Sequence, residues 1–186
     1  MKIFKNKLLI QLILALASPF LLWFGWPPNH LNFIVFFGFV PLLFLQDFIQ
    51  KNISKKRTRC LFLFSYLTFF CWNIFCTYWI YQASVGGAIL AITANSFIMC
   101  LPVLLFQITR IRTSDYKGYL SLVVYWTVFE HLHMRWDLSW PWLSLGNSLA
   151  MNTTWIQWYE YTGVSGGTIW ILIINILIYH IIKEFI

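Results

Sequence analysis

Six apolar runs, each close to the length that crosses a bilayer, constrain this chain more than any other feature of its sequence. A spanning helix takes about 20 mostly apolar residues. Residues 8–26, 31–48, 60–81, 86–108, 118–133 and 163–182 qualify, with short connections between most of them. The expected fold is all-α: a polytopic transmembrane helical bundle of about six spans, one transmembrane domain over residues 1–186. The fifth run is the weakest, because Glu130, His131 and His133 crowd its end. Composition agrees. Hydrophobic residues make up 60% of the chain and charged residues 10%, against about a quarter charged in soluble domains. So much apolar surface cannot hide in one small core, and lipid is the solvent that accepts the remainder. The 11 tryptophans and 9 tyrosines suit a membrane–water boundary, where amphipathic rings collect.

Lysine and arginine set the orientation, since they accumulate in cytoplasmic loops. Lys2, Lys5 and Lys7 precede the first run. Lys51, Lys55, Lys56, Arg57 and Arg59 separate the second from the third. Arg110, Arg112 and Lys117 separate the fourth from the fifth, and Lys183 follows the sixth. With six spans all of these fall on one side, and Arg135 is the basic residue opposite. Both termini are therefore expected in the cytoplasm. The net charge of +7 is explained by topology, which excludes nucleic acid as a partner. Ala15-Leu16-Ala17 resembles a signal-peptidase site, but the apolar run continues to Trp26, so an uncleaved first span is expected. Pro27-Pro28 turns the first two spans into a hairpin. Pro19, Pro41 and Pro102 lie inside spans and predict kinks.

The opposite side carries residues 27–30, the turn 82–85 and a long segment, 134–162. That segment holds Trp136, Trp140, Trp142, Trp155 and Trp158 beside Asp137 and Glu160, an unusually apolar make-up for an external loop. It reads either as an interfacial segment anchored by its aromatics or as a lipid-facing mouth where a head group is handled. Composition alone favours the former.

Chemistry-bearing residues are sparse. Glu130 and His133 share a helical face at i and i+3, a spacing used in di-iron bundles, but no partner carboxylates stand on other spans, so no metal is expected. Glu130 either pairs with Arg135 or a histidine, or lines a polar cavity. Asn73, Asn95 and Asn175 sit well within spans and are expected to bond between helices, at roughly 1 kcal/mol each. No span has a central charge, which removes the usual groups for coupled transport. Cys60, Cys71, Cys76 and Cys100 form no CxxC pair and read as small hydrophobes. Ser139, Ser144 and Ser148 lack a nucleophile turn. No cofactor is implied.

Several stretches, in order, resemble the membrane domain of the apolipoprotein N-acyltransferase family. They are Ser18-Pro19-Phe20 through Trp26-Pro27-Pro28 to Phe39-Val40-Pro41-Leu42-Leu43, then Tyr78-Trp79-Ile80-Tyr81, then Trp126 with Phe129-Glu130. Trp140-Pro141-Trp142-Leu143-Ser144-Leu145-Gly146-Asn147 resembles the family's P-W-L-x-x-G stretch, and Tyr161-Thr162-Gly163-Val164-Ser165-Gly166-Gly167 its glycine-bearing start of the next span. The resemblance implies a multi-pass protein of the bacterial inner membrane that moves an acyl chain from a phospholipid to the α-amine of a lipoprotein's diacylglyceryl-cysteine. It implies a thioester route on a Glu-Lys-Cys triad in a periplasmic nitrilase-like domain. No cysteine, glutamate or lysine of these 186 residues matches that triad. The chain is expected to be the front part of such an enzyme, inactive alone: a truncated product, one piece of a split enzyme completed by a separate nitrilase-like chain, or a catalytically dead relative. Membrane phospholipid and the lipoprotein are the implied partners. Glu130, Trp140, Trp142 and Glu160 are the candidate substrate-binding residues. The rival reading is a non-enzymatic scaffold that binds lipid or a partner protein.

Overall fold

A computed structural model describes residues 2–53, 56–137 and 139–185, with side chains from residue 7 onward. Lys55 and the side chains of Lys2 and Lys5, counted above in the basic blocks, lie outside the described residues. Six α-helices follow in order: α1 (Lys2–Phe24), α2 (Val40–Asn52), α3 (Arg57–Thr77), α4 (Val85–Arg112), α5 (Asp115–His133) and α6 (Tyr159–Phe185). No strand occurs among the described residues. Among the described residues five stretches are long and apolar enough to cross a membrane: Lys7–Phe24, Asn32–Asn52, Arg57–Gln82, Val85–Arg112 and Tyr159–Phe185. The 19 residues of α5 extend about 28 Å, but Asp115, Lys117, Glu130 and two histidines keep it less apolar than the rest. The chain is a multi-pass membrane protein.

Lipid-facing and inward-facing residues separate clearly along the helices. Leu63, Leu90, Phe97, Leu120 and Leu177 are exposed, while Phe39, Phe69, Trp72 and Trp126 are fully buried. Trp126 meets Phe39 edge-on at 4.8 Å and Phe69 at 5.5 Å, the separations at which aromatic pairs attract beyond simple burial. Ser84 and Ser114 cap α4 and α5 by accepting from the amides of Gly87 and Lys117. Arg110 and Arg112 in the last turn of α4 complement its macrodipole.

The second span differs from the continuous kinked helix expected at Pro41. A 3₁₀ turn, Asn32–Phe37, comes first, and α2 then begins with Pro41 in its opening turn. There the missing amide costs nothing, because the first helical N–H groups are unpaired anyway. The discontinuity lies just upstream, and backbone groups freed at membrane depth need internal partners. Asn175 of α6 supplies them: its Oδ1 accepts from the Phe39 amide (2.7 Å), and its Nδ2 donates to the carbonyl of Val35 (3.0 Å). Asn95 likewise donates to Asn73 Oδ1 across α3 and α4 (2.7 Å). The span asparagines are the interhelical links their positions predict. Helices α1 and α4 run through Pro19 and Pro102.

One cluster ties the helix ends together where the basic segments meet. Asp47 is buried near the end of α2. Its Oδ1 pairs with Arg110 Nη1 (2.6 Å), its Oδ2 with Lys183 Nζ (2.9 Å), and Tyr179 donates its hydroxyl to Oδ2. Arg110 Nε also pairs with Asp115 (2.7 Å), which holds the Asp115 carboxyl below its ordinary range. Helices α2, α4, α5 and α6 thus share one electrostatic knot.

Candidate functional site

At the opposite end, three sequence segments converge on one carboxylate. Glu130 and Trp126 are four residues apart on α5, so their side chains stack on one face. The Trp126 indole N–H donates to Glu130 Oε1 (2.9 Å), and the Leu145 amide donates to the same oxygen (2.8 Å). Thr168 of α6 donates its hydroxyl to Oε2 (2.6 Å). An ionised carboxylate has about four acceptor positions, so three donors nearly fill it. Glu130 is 4% exposed. Among the described residues it pairs with neither Arg135 nor a histidine. It lines a small cavity of mixed character with Asn95, His133, Trp140 and Ser144 and with Met99, Phe129 and Leu143.

The segment after α5 explains why Glu130 is so enclosed. It forms short 3₁₀ turns at Pro141–Leu143, Leu145–Leu149 and Thr153–Trp155. Leu143, Leu145, Leu149 and Ser148 are buried, with the three leucines inside the main apolar cluster. The middle of the segment is therefore a wedge inserted into the bundle, and its ends carry the exposed Trp136, Trp142 and Trp155. An interfacial loop held by aromatics describes the ends alone. Asn32 Nδ2 donates to the Ser148 carbonyl, joining the wedge to the second span. The Gly146 amide donates to Thr168 Oγ1 (3.0 Å), and Tyr159 donates its hydroxyl to the Gly146 carbonyl (2.9 Å). A Cβ on Gly146 would run into the backbone carbonyl of Val164, so only glycine permits this approach. Gly163 interrupts α6 with φ +64, a conformation L-residues avoid. The turn before it carries Tyr159, and the helix after it carries Thr168.

Beside Glu130, His133 Nε2 lies 2.9 Å from Asn95 Oδ1, extending a polar chain to Asn73 and the Phe69 carbonyl. From this polar end a groove of roughly 470 Å³ runs between α4 and α5. Its walls are apolar: Leu101, Pro102 and Leu105 face Val128, Phe129 and Leu132. His133, Arg135 and Trp136 stand at one end of it. A second cavity shares His133 and Trp136 with it and adds Asn95, Asp137, Ser139 and Trp140. The volume falls in the range of about 300–1,000 Å³ usual for small-molecule sites. One apolar trough with a polar mouth can take a chain-like molecule that has a polar head.

The four candidate residues occupy different places. Glu130 and Trp140 meet at the small cavity, where the Trp140 indole N–H is buried with no hydrogen-bond partner among the described residues. Trp142 is exposed and packs edge-on against Trp79 at 5.2 Å. Glu160 is exposed in the first turn of α6. Thr168 and Tyr159 were not singled out from the sequence. Their signal is positional: they flank the glycines of α6, and a Cβ on Gly167 would run into the Tyr159 ring. The four cysteines lie on α3 and α4, and no lysine, histidine or carboxylate hydrogen-bonds any of them among the described residues.

Residues 18–177 match the family described as the apolipoprotein N-acyltransferase N-terminal domain. An apolipoprotein N-acyltransferase of Chlorobaculum tepidum is 29% identical over 184 residues, covering 98% of this chain and 32% of that protein. The chain thus spans about a third of the length of that relative. No solved structure matches it.

Proposed function

The chain belongs to the family of apolipoprotein N-acyltransferase N-terminal domains, and from that membership we propose that it is the membrane-embedded part of an enzyme of lipoprotein maturation in the bacterial inner membrane. The reaction transfers an acyl chain from a phospholipid to the α-amine of a lipoprotein's N-terminal cysteine. One observation carries the reading: the groove between α4 and α5, apolar along its length and polar at the mouth. The stretch of α4 from Ile98 to Leu105 provides about 10 Å of apolar wall along its axis. A lipid acyl chain lies there, with its head group at Arg135, Asp137, Ser139 and Trp140.

Within this proposal the four candidate residues divide by role. Trp140 meets lipid substrate at the mouth, and Trp142 and Glu160 meet it on the exposed surface outside the groove. Glu130 is a positioning residue that seats the wedge behind it. The nucleophile belongs to residues beyond this bundle, because among the described residues no base hydrogen-bonds any of the four cysteines, and the chain alone is inactive. In a complete enzyme of the family, Trp140→Ala, Trp142→Ala and Glu160→Gln are expected to lower kcat/KM for the phospholipid donor by about tenfold each, ~1.4 kcal/mol, with thermal unfolding little changed. Unaltered turnover in all three would remove these residues from the substrate path. Lipid binding without acyl transfer, with a nitrilase-like domain present, would instead identify a non-enzymatic scaffold.

A further inference from the structure

A second groove, at the far end of the bundle from Glu130, has a different character. Leu14 of α1 and Phe44 and Phe48 of α2 form its walls, and Lys51 and Lys183 form its rim, around roughly 480 Å³. Asp47 lies at its base, 9% exposed at the side chain. The charges here do not balance. Arg110 and Lys183 are matched by Asp47 and Asp115 through direct pairs. Lys51 is exposed and adds a positive charge with no carboxylate in salt-bridge distance among the described residues. Lys183 directs its ammonium to Asp47, but an ammonium has three donors and its side chain is 31% exposed.

We propose that this groove binds an anionic phospholipid. The head-group phosphate lies between the Lys51 ammonium and the free N–H groups of Lys183, and an acyl chain runs along Leu14, Phe44 and Phe48. One phosphodiester supplies the one negative charge the cluster lacks. Basic pockets between spanning helices hold anionic head groups in this way, and lysine stems lie along apolar walls while their charge reaches the boundary. A zwitterionic lipid would bring its own cation to two lysines and bind less well. The site stands apart from the α4–α5 groove and does not depend on the proposed acyl transfer.

The test uses the chain in nanodiscs of equal phosphatidylglycerol and phosphatidylcholine, with retained lipid counted by native mass spectrometry. Phosphatidylglycerol is expected to be retained in preference. Lys51→Gln is expected to lower that preference about fivefold, the weight of one lysine near an anionic surface. Lys117→Gln and Arg59→Gln, cations outside the groove, are expected to leave it unchanged. Lys51 is exposed, so its substitution should not alter thermal unfolding. Equal retention of the two lipids would overturn the proposal. So would equal losses in all three variants, which would mean diffuse surface charge, or displacement of the lipid by millimolar glycerol phosphate, which would mean a site for free phosphate.

Discussion

Replacing Glu130 with alanine is expected to release the wedge at Leu143–Leu149 and to cost the bundle about 3 kcal/mol. Three donors lose their acceptor at once: the Trp126 indole, the Leu145 amide and the Thr168 hydroxyl. All three residues are buried, so water does not readily replace the carboxylate. Thermal unfolding in detergent should fall by roughly 10 °C, and the Leu145 amide should lose its protection from hydrogen exchange. Glu130→Gln keeps the shape but turns an NH₂ toward one donor. Its loss should be smaller, about 1–2 kcal/mol. Full stability of both variants, with Leu145 still protected, would mean that the wedge is held by apolar packing alone.

The second large effect belongs to Asp47. Asp47→Ala leaves Arg110, at 10% side-chain exposure, with Asp115 as its remaining pair, and strips Tyr179 of its acceptor. Breaking a buried pair from one side typically costs about 3–5 kcal/mol, more than the pair's net worth, because the partner charge stays buried. The expected loss lies at the lower end of that range, since Lys183 can turn to water. Unfolding of Asp47→Ala, of Arg110→Met and of the double variant forms the check. Coupling predicts that the double variant loses less than the two single losses together. Strict additivity would contradict the knot.

Much of the helical plan was legible because long apolar runs leave few alternatives. The sixth run begins at Gly163, where the structure interrupts α6; Glu130 stood out through its spacing to His133, and Trp126 through the family resemblance. Two stretches that carry the family resemblance meet at the Glu130 carboxylate, through Trp126 and Leu145, and the third ends at Gly167, next to the Thr168 that completes the contact. The wedge was less legible. Its burial comes from short 3₁₀ turns without helical or strand periodicity, and its serines and asparagines read as loop until Glu130, Thr168 and Asn32 take up its polar groups. Asp47 was overlooked because it stands at the end of an apolar run, where a charge can reach water. Its burial follows from Arg110, Lys183 and Tyr179, which are 63 to 136 residues away in sequence. Pro41 showed that a proline within an apolar run can mark a helix start instead of a kink, when a residue as distant as Asn175 pairs the broken backbone.

We propose that this bundle serves acyl transfer to a lipoprotein amine and lacks the chemistry by itself. The most direct measurement supplies phospholipid and a peptide bearing an N-terminal diacylglyceryl-cysteine, and follows N-acylation of the peptide by mass spectrometry. It compares the protein purified from its native membrane with the 186-residue chain alone. N-acyl product is expected from the bundle together with a nitrilase-like domain, whether in the same protein or added as a second chain, and none from the 186 residues alone. Product from the 186 residues alone, or none even with that domain present, would contradict the proposal.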